Sequence, residues 1–130
     1  MVAASLRNTT AVARWLATHG LGTVDQPVGV IAAGERWPDG SLRPAFEDLL
    51  GAGGVVAALL KCGGEAPSPE AAMAAAAFTG TPDPGAAVAS SSSGRELAAA
   101  GFADDVAVAT ELDVSHVVPA LTHGAFADAG

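Results

Sequence analysis

Apolar positions recur along the chain in two distinct rhythms. In SLRNTTAVARWLATHG, Val12, Trp15 and Leu16 sit at helical spacing, Asn8 or Thr9 can cap the turn before them, and Gly20 supplies a left-handed stop. PVGVIAAG, residues 27–34, is instead a short unbroken apolar run closed by glycine, which predicts a strand covered on both faces. A polar loop, ERWPDGSLR, follows with Pro38, Asp39 and Gly40 in turn order. The next helix is predicted from about Pro44 to Lys61, with Gly63 and Gly64 ending it. SPEAAMAAAAF (Ser68 to Phe78) predicts another, capped by Ser68 with Pro69 in its first position. TGTPDPGAAVASSSS reads as loop, SGRELAAAGFADDVAVATELD as two helical segments broken at Gly101, VSHVVPAL as a strand and THGAFADAG as a frayed tail. The chain has no internal repeat.

Strands separated by helices predict an α/β fold, a single segment over residues 1–130 with covering helices on a partial, layered, mainly parallel sheet. Two or three strands are too few to close such a sheet, because a parallel sheet needs both faces covered and its edges blunted. The remaining strands are expected elsewhere, in a homo-oligomer or in a separate partner segment.

Composition narrows the function. The 130 residues are half hydrophobic, with four Phe, two Trp and no Tyr, so stability must come from close packing of small side chains. The longest apolar runs fall far short of a membrane span, and no secretion signal opens the chain. A cytoplasmic protein is the expectation. Cys62 stands alone, which excludes an internal disulfide and a cysteine zinc site; an inert, buried thiol at a helix end is expected. With 14 acids against six bases and no two bases adjacent, nucleic acid and anionic membrane are excluded as partners. A small anion is not, since one or two arginines and a helix terminus can hold it.

The charge is unevenly spread. Glu35, Arg36, Asp39, Arg43, Glu47 and Asp48 crowd the junction between the predicted strand and the long helix. Beyond Asp48 that helix is apolar or small on every side until Lys61, so it reads as buried, and Gly51, Gly53 and Gly54 read as sites where another backbone passes close. Helix-dipole complementarity accounts for acids in a first turn. It leaves Glu35, Arg36, Asp39 and Arg43 unexplained. Ligands of open parallel sheets gather outside the carboxyl ends of strands, and here Arg36 and Arg43 arrive beside a helix N-terminus, a site for phosphate or sulfonate. Carboxylates beside an anion require a mediating cation, and Mg²⁺ is held by one or two carboxylates plus phosphate oxygens and water. Glu47 and Asp48 are therefore the expected metal ligands and, with Glu35, the expected catalytic carboxylates. GAGG is no dinucleotide fingerprint, and His19, His116 and His123 lack metal spacing. Ser93 and Glu96 in SGRE match a capping box, which leaves Arg95 and Asp105 as second-rank candidates.

SLRNTTAVA, VIAAGERWPDGSLRPAFEDLLGAGGVVAAL, SPEAAMAAAAF and SSSGRELAAAGFADDVAVATELDVSHVVPAL resemble, in that order, the C-terminal half of 2-phosphosulfolactate phosphatases. The resemblance implies an α/β, cytoplasmic enzyme that hydrolyses the phosphate monoester 2-phospho-3-sulfolactate with Mg²⁺ in coenzyme M synthesis. Glu35, Arg36, Glu47 and Asp48 fall within its motif segments, as do Asn8, Arg95 and Asp105. Chemistry assigns Arg36, Arg43, Asn8 and Arg95 to a small phosphorylated sulfonate or similar dianionic metabolite. The family's N-terminal half is absent, with a strand ending in an Asp-rich, Arg-containing motif expected to help build the metal site. The alternative to a complete hydrolase is therefore a non-catalytic packing module that pairs with that half.

Overall fold

Gly20 and Gly63 adopt the left-handed backbone that the sequence predicts for helix stops, at φ +70° and +97°. They bracket the first part of the computed structural model, which describes all 130 residues. A 3-10 turn, Leu6–Asn8, leads into α1 (Thr9–Thr18). A two-residue hairpin, β1 (Glu35–Arg36) and β2 (Leu42–Arg43), precedes α2 (Phe46–Lys61). Next come α3 (Pro69–Thr79), α4 (Pro84–Ala89), α5 (Ser92–Ala99) and α6 (Ala103–Ala109). A second hairpin, β3 (Pro119–Thr122) and β4 (Ala125–Asp128), closes the chain.

The fold mixes helix and sheet, but the expected mainly parallel layered sheet is not seen. Both strand pairs are antiparallel, with registers Glu35↔Arg43 and Ala120↔Ala127. Tight turns decide this: Gly40 has φ +84°, and His123 and Gly124 have φ +53° and +83°, the two positive values that suit a two-residue hairpin turn. The tail expected to fray is thus a strand, and Val2 extends its sheet through an antiparallel bridge to Ala120. The segment expected to be loop holds α4, capped by Asp83 with Pro84 at its first position. Residues 27–34, expected to be a strand, form none.

Helix α2 lies between α1 and α3. A Cβ built on Gly53 would lie 2.1 Å from the Ala74 carbonyl oxygen, so the two helices meet backbone to backbone there. Gly54 faces Phe78 and Thr9, whereas Gly51 has nothing within 4 Å of its Cβ position, against expectation. Nor is α2 buried on every side, for Phe46, Leu49 and Leu60 are exposed. Only 21 of the 130 residues are buried, and eleven of them form three small apolar clusters around Val12 and Leu59, Leu50 and Val88, and Val56 and Ala75. That is little core for a chain half hydrophobic. Cys62 caps α2 and is exposed rather than buried.

A distant carboxylate starts α1. Asp113 Oδ1 accepts from Thr9 Oγ1 and the Thr10 amide, each at 2.7 Å, and Oδ2 accepts from Thr10 Oγ1 at 2.7 Å. Burial pushes its pKa up, but the Thr10 amide, the two hydroxyls and the field of Arg14 outweigh this and hold it below the ordinary value. Asp113→Ala should cost about 1 kcal/mol at pH 7, the ordinary worth of a partly exposed cap. Because the folded pKa is depressed, that contribution is complete above about pH 3.9 and fades as pH falls through the folded value. Urea titrations of both proteins should therefore differ most at pH 7 and draw together as the pH is taken progressively below the ordinary carboxylate range.

Candidate functional site

The charged junction separates into four residues with partners and two without. Arg43, opposite Glu35 across the hairpin, lies 3.2 Å from the Glu35 carboxylate. It also donates both terminal nitrogens to Glu96 of α5, at 2.8 and 2.9 Å, in a bidentate pair. The Trp37 ring covers its guanidinium at 4.7 Å. Hydrogen bonding to Glu96 raises the Arg43 pKa, desolvation opposes it, and the fields of Glu96, Glu35 and Glu47 add smaller upward effects; Glu96 is correspondingly lowered. Arg36 donates to the Gly40 carbonyl at 2.8 Å. Asp39 accepts from the Ser41 hydroxyl at 2.6 Å and the Ser41 amide at 2.9 Å, which lower its pKa in that order.

Glu47 and Asp48 remain. They occupy the first turn of α2, whose N-terminal residue, Ala45, offers no side-chain cap. Neither forms an ion pair. Glu47 Oε2 is buried without a hydrogen-bond partner, an arrangement that costs roughly 1–3 kcal/mol unless something fills it. Both acids, with Asp105 of α6, line a largely apolar cleft of about 980 Å³. Its walls include Met1–Leu6 on one side, residues 27–33 on another, and Gly51, Ala52 and Val55 of α2.

The other expected site residues lie apart from this pair. Asn8 is buried as a tie between chain segments: its Oδ1 accepts from the Ser5 amide at 2.8 Å and its Nδ2 donates to the Val117 carbonyl at 3.0 Å. Arg95 is exposed on α5 and forms no ion pair. Ser91, not Ser93, caps α5, which frees Glu96 from the expected capping box to meet Arg43. Sequence reasoning missed Glu96 as the partner of Arg43, because no local pattern signals a contact across 53 residues, and Trp37 as its cover, because that contact depends on the hairpin turn between them.

No three His, Cys, Asp or Glu side chains come together as a ready metal cage. The donor set still suits Mg²⁺, which keeps several waters and takes one or two carboxylates beside substrate phosphate. An orphaned buried carboxylate oxygen, with a second unpaired acid lining the same cleft, is the feature such an ion would satisfy. No helix is long and apolar enough to cross a membrane.

Comparison with known proteins adds the decisive observation. The sequence model of 2-phosphosulpholactate phosphatase matches residues 1–124. The chain belongs to the 2-phosphosulfolactate phosphatase family. A relative named probable 2-phosphosulfolactate phosphatase, from Deinococcus radiodurans, is 34% identical over 130 residues, all of this chain and 50% of its own length. This phosphatase-family chain therefore spans about half the length of that relative. Within it, the Gly34-Glu35-Arg36 and Glu47-Asp48-Leu49-Leu50 segments lie at the β1 strand and in the first turn of α2.

Proposed function

We propose that the chain carries part of a phosphate-monoester hydrolase site whose substrate is 2-phospho-3-sulfolactate, released as 3-sulfolactate and phosphate on the way to coenzyme M. What supports this reading above all is the unpartnered pair, Glu47 and Asp48, at the wall of the large cleft in a member of this family. Glu47 and Asp48 would hold Mg²⁺, which supplies charge neutralisation at phosphoryl oxygens and a more acidic water. Arg36 and Arg43 would hold the phosphate and sulfonate, with Arg95 and Asn8 as further donors. Arg43 must then exchange its Glu96 pair for the anion, a swap of one bidentate carboxylate for another oxyanion. Glu35, tethered through Arg43, would accept the proton from the attacking water or orient the acids beside it.

The test is phosphate release from a panel of monoesters by this chain mixed with the half of the Deinococcus relative that it does not match. Release that favours 2-phospho-3-sulfolactate and stops with a chelator is expected. Release without preference, or from no monoester, refutes the reading. A packing module with no chemistry of its own is the second reading, favoured by the sparse core. A compact, cooperatively unfolding monomer in size-exclusion and circular dichroism measurements counts against it.

A further inference from the structure

Seven consecutive residues, Pro27–Ala33, take part in no backbone hydrogen bond, and no side chain bonds to them either. The run is wholly apolar or glycine, and most of it is exposed, Ile31 at 87%. No residue in it has positive φ, so nothing in the backbone bars a β-conformation. Native chains seldom leave such an edge open, because unpaired N–H and C=O groups beside apolar side chains recruit another strand.

The surroundings define what would pair with it. Residues of this run line two clefts at once, the one of about 980 Å³ and another of about 710 Å³, both floored by α2. The far wall of the larger cleft is Met1–Ala4. Ala3 donates to Pro119 and Met1 accepts from Leu121, so Val2, between them, turns its own amide and carbonyl away from β3, and neither is bonded. Two unpaired edges thus line a common gap over α2, whose Gly51, Ala52 and Val55 give it an apolar floor beyond the acids of the first turn.

We propose that Pro27–Ala33 is a strand of a sheet completed from outside these 130 residues, and that its occupant is an apolar β-strand from the half of the family sequence this chain does not contain. The Deinococcus relative carries as much sequence again as the part aligned here, which is enough to supply it. The docking adds main-chain hydrogen bonds along the run and covers the exposed aliphatic side chains, the ordinary basis of strand addition. It rests on family membership and backbone pairing, not on the hydrolytic reading.

Amide hydrogen exchange followed by NMR tests this, with the unmatched half of the Deinococcus relative as the added polypeptide. Alone, the amides of Val28–Ala33 should exchange at nearly unprotected rates. On mixing they should slow by about 100-fold or more. Val30→Pro, which removes one of those amides, should abolish the slowing while the helical circular dichroism is kept. Ile31→Lys, which leaves every amide in place, should weaken the complex at least about tenfold. A complex in which these amides stay fast, no complex at all, or slowing that follows the concentration of this chain alone (a second copy as occupant) would each overturn the proposal. Because the readout is exchange, its failure is distinct from a failure to release phosphate.

Discussion

On the proposed reading, replacing Glu47 by Gln and Asp48 by Asn in this chain, mixed with the unmatched half of the Deinococcus relative, is expected to lower Mg²⁺-dependent turnover by at least about 100-fold, the scale of losing a central electrostatic contact. The same changes should remove any Mg²⁺-induced rise in melting temperature. Stability in metal-free buffer separates this from plain helix-dipole complementarity. If the two acids serve only the dipole, neutralising each should cost about 0.3–1 kcal/mol. Glu47, however, holds a buried carboxylate oxygen with no partner. Relieving it by Glu47→Gln should stabilise the metal-free chain by about 1 kcal/mol, since a neutral amide is less costly to desolvate. Gain of stability with loss of turnover is the signature of a group kept for a ligand. A destabilised, fully active Glu47→Gln protein would assign the acids to the helix alone.

The largest effect on folding is expected at Gly53. Its Cβ would come within 2.1 Å of the Ala74 oxygen and 2.7 Å of the Ala74 carbonyl carbon, both main-chain atoms that cannot rotate aside. Gly53→Ala must push α3 away from α2, at a cost of about 3 kcal/mol after the helix-propensity gain is counted. For a chain with so small a core, that is enough to abolish cooperative unfolding in urea. Gly51→Ala, two residues earlier with open space around it, should instead stabilise by roughly 0.5–1 kcal/mol. Equal effects at the two positions would mean that α2 and α3 do not meet as described.

These two glycines show what a sequence can and cannot carry. Helix limits were legible because they are local: Gly20, Gly63 and the Ser68-Pro69 start stand where expected. The α4 helix was hidden because six residues opened by Asp83-Pro84 look the same as a turn. That α2 needs glycine was legible, but which glycine meets a backbone depends on where α3 docks, a non-local fact. The same limit governed the sheet. PVGVIAAG has the composition of a strand, but no other part of the 130 residues pairs with it, so the strands that do form are short hairpins set by Gly40 and Gly124. At the site, crowding of charge singled out the β1–β2 hairpin and the first turn of α2, where Glu47 and Asp48 stand without ion-pair partners. It did not divide the residues, since the division depends on Glu96, which takes Arg43 into a pair and leaves Glu47 and Asp48 alone.

The indole over Arg43 has an optical consequence. With no Tyr in the chain, near-ultraviolet emission comes from Trp15 and Trp37. Trp15 stacks on His19 at 4.1 Å and anchors to the Ala129 carbonyl, remote from the charged hairpin. Trp37 has the Arg43 guanidinium over its ring and is itself about half exposed. An oxyanion that draws the guanidinium off Glu96 also alters the field across that ring, so the natural sequence carries its own fluorescent reporter of occupancy.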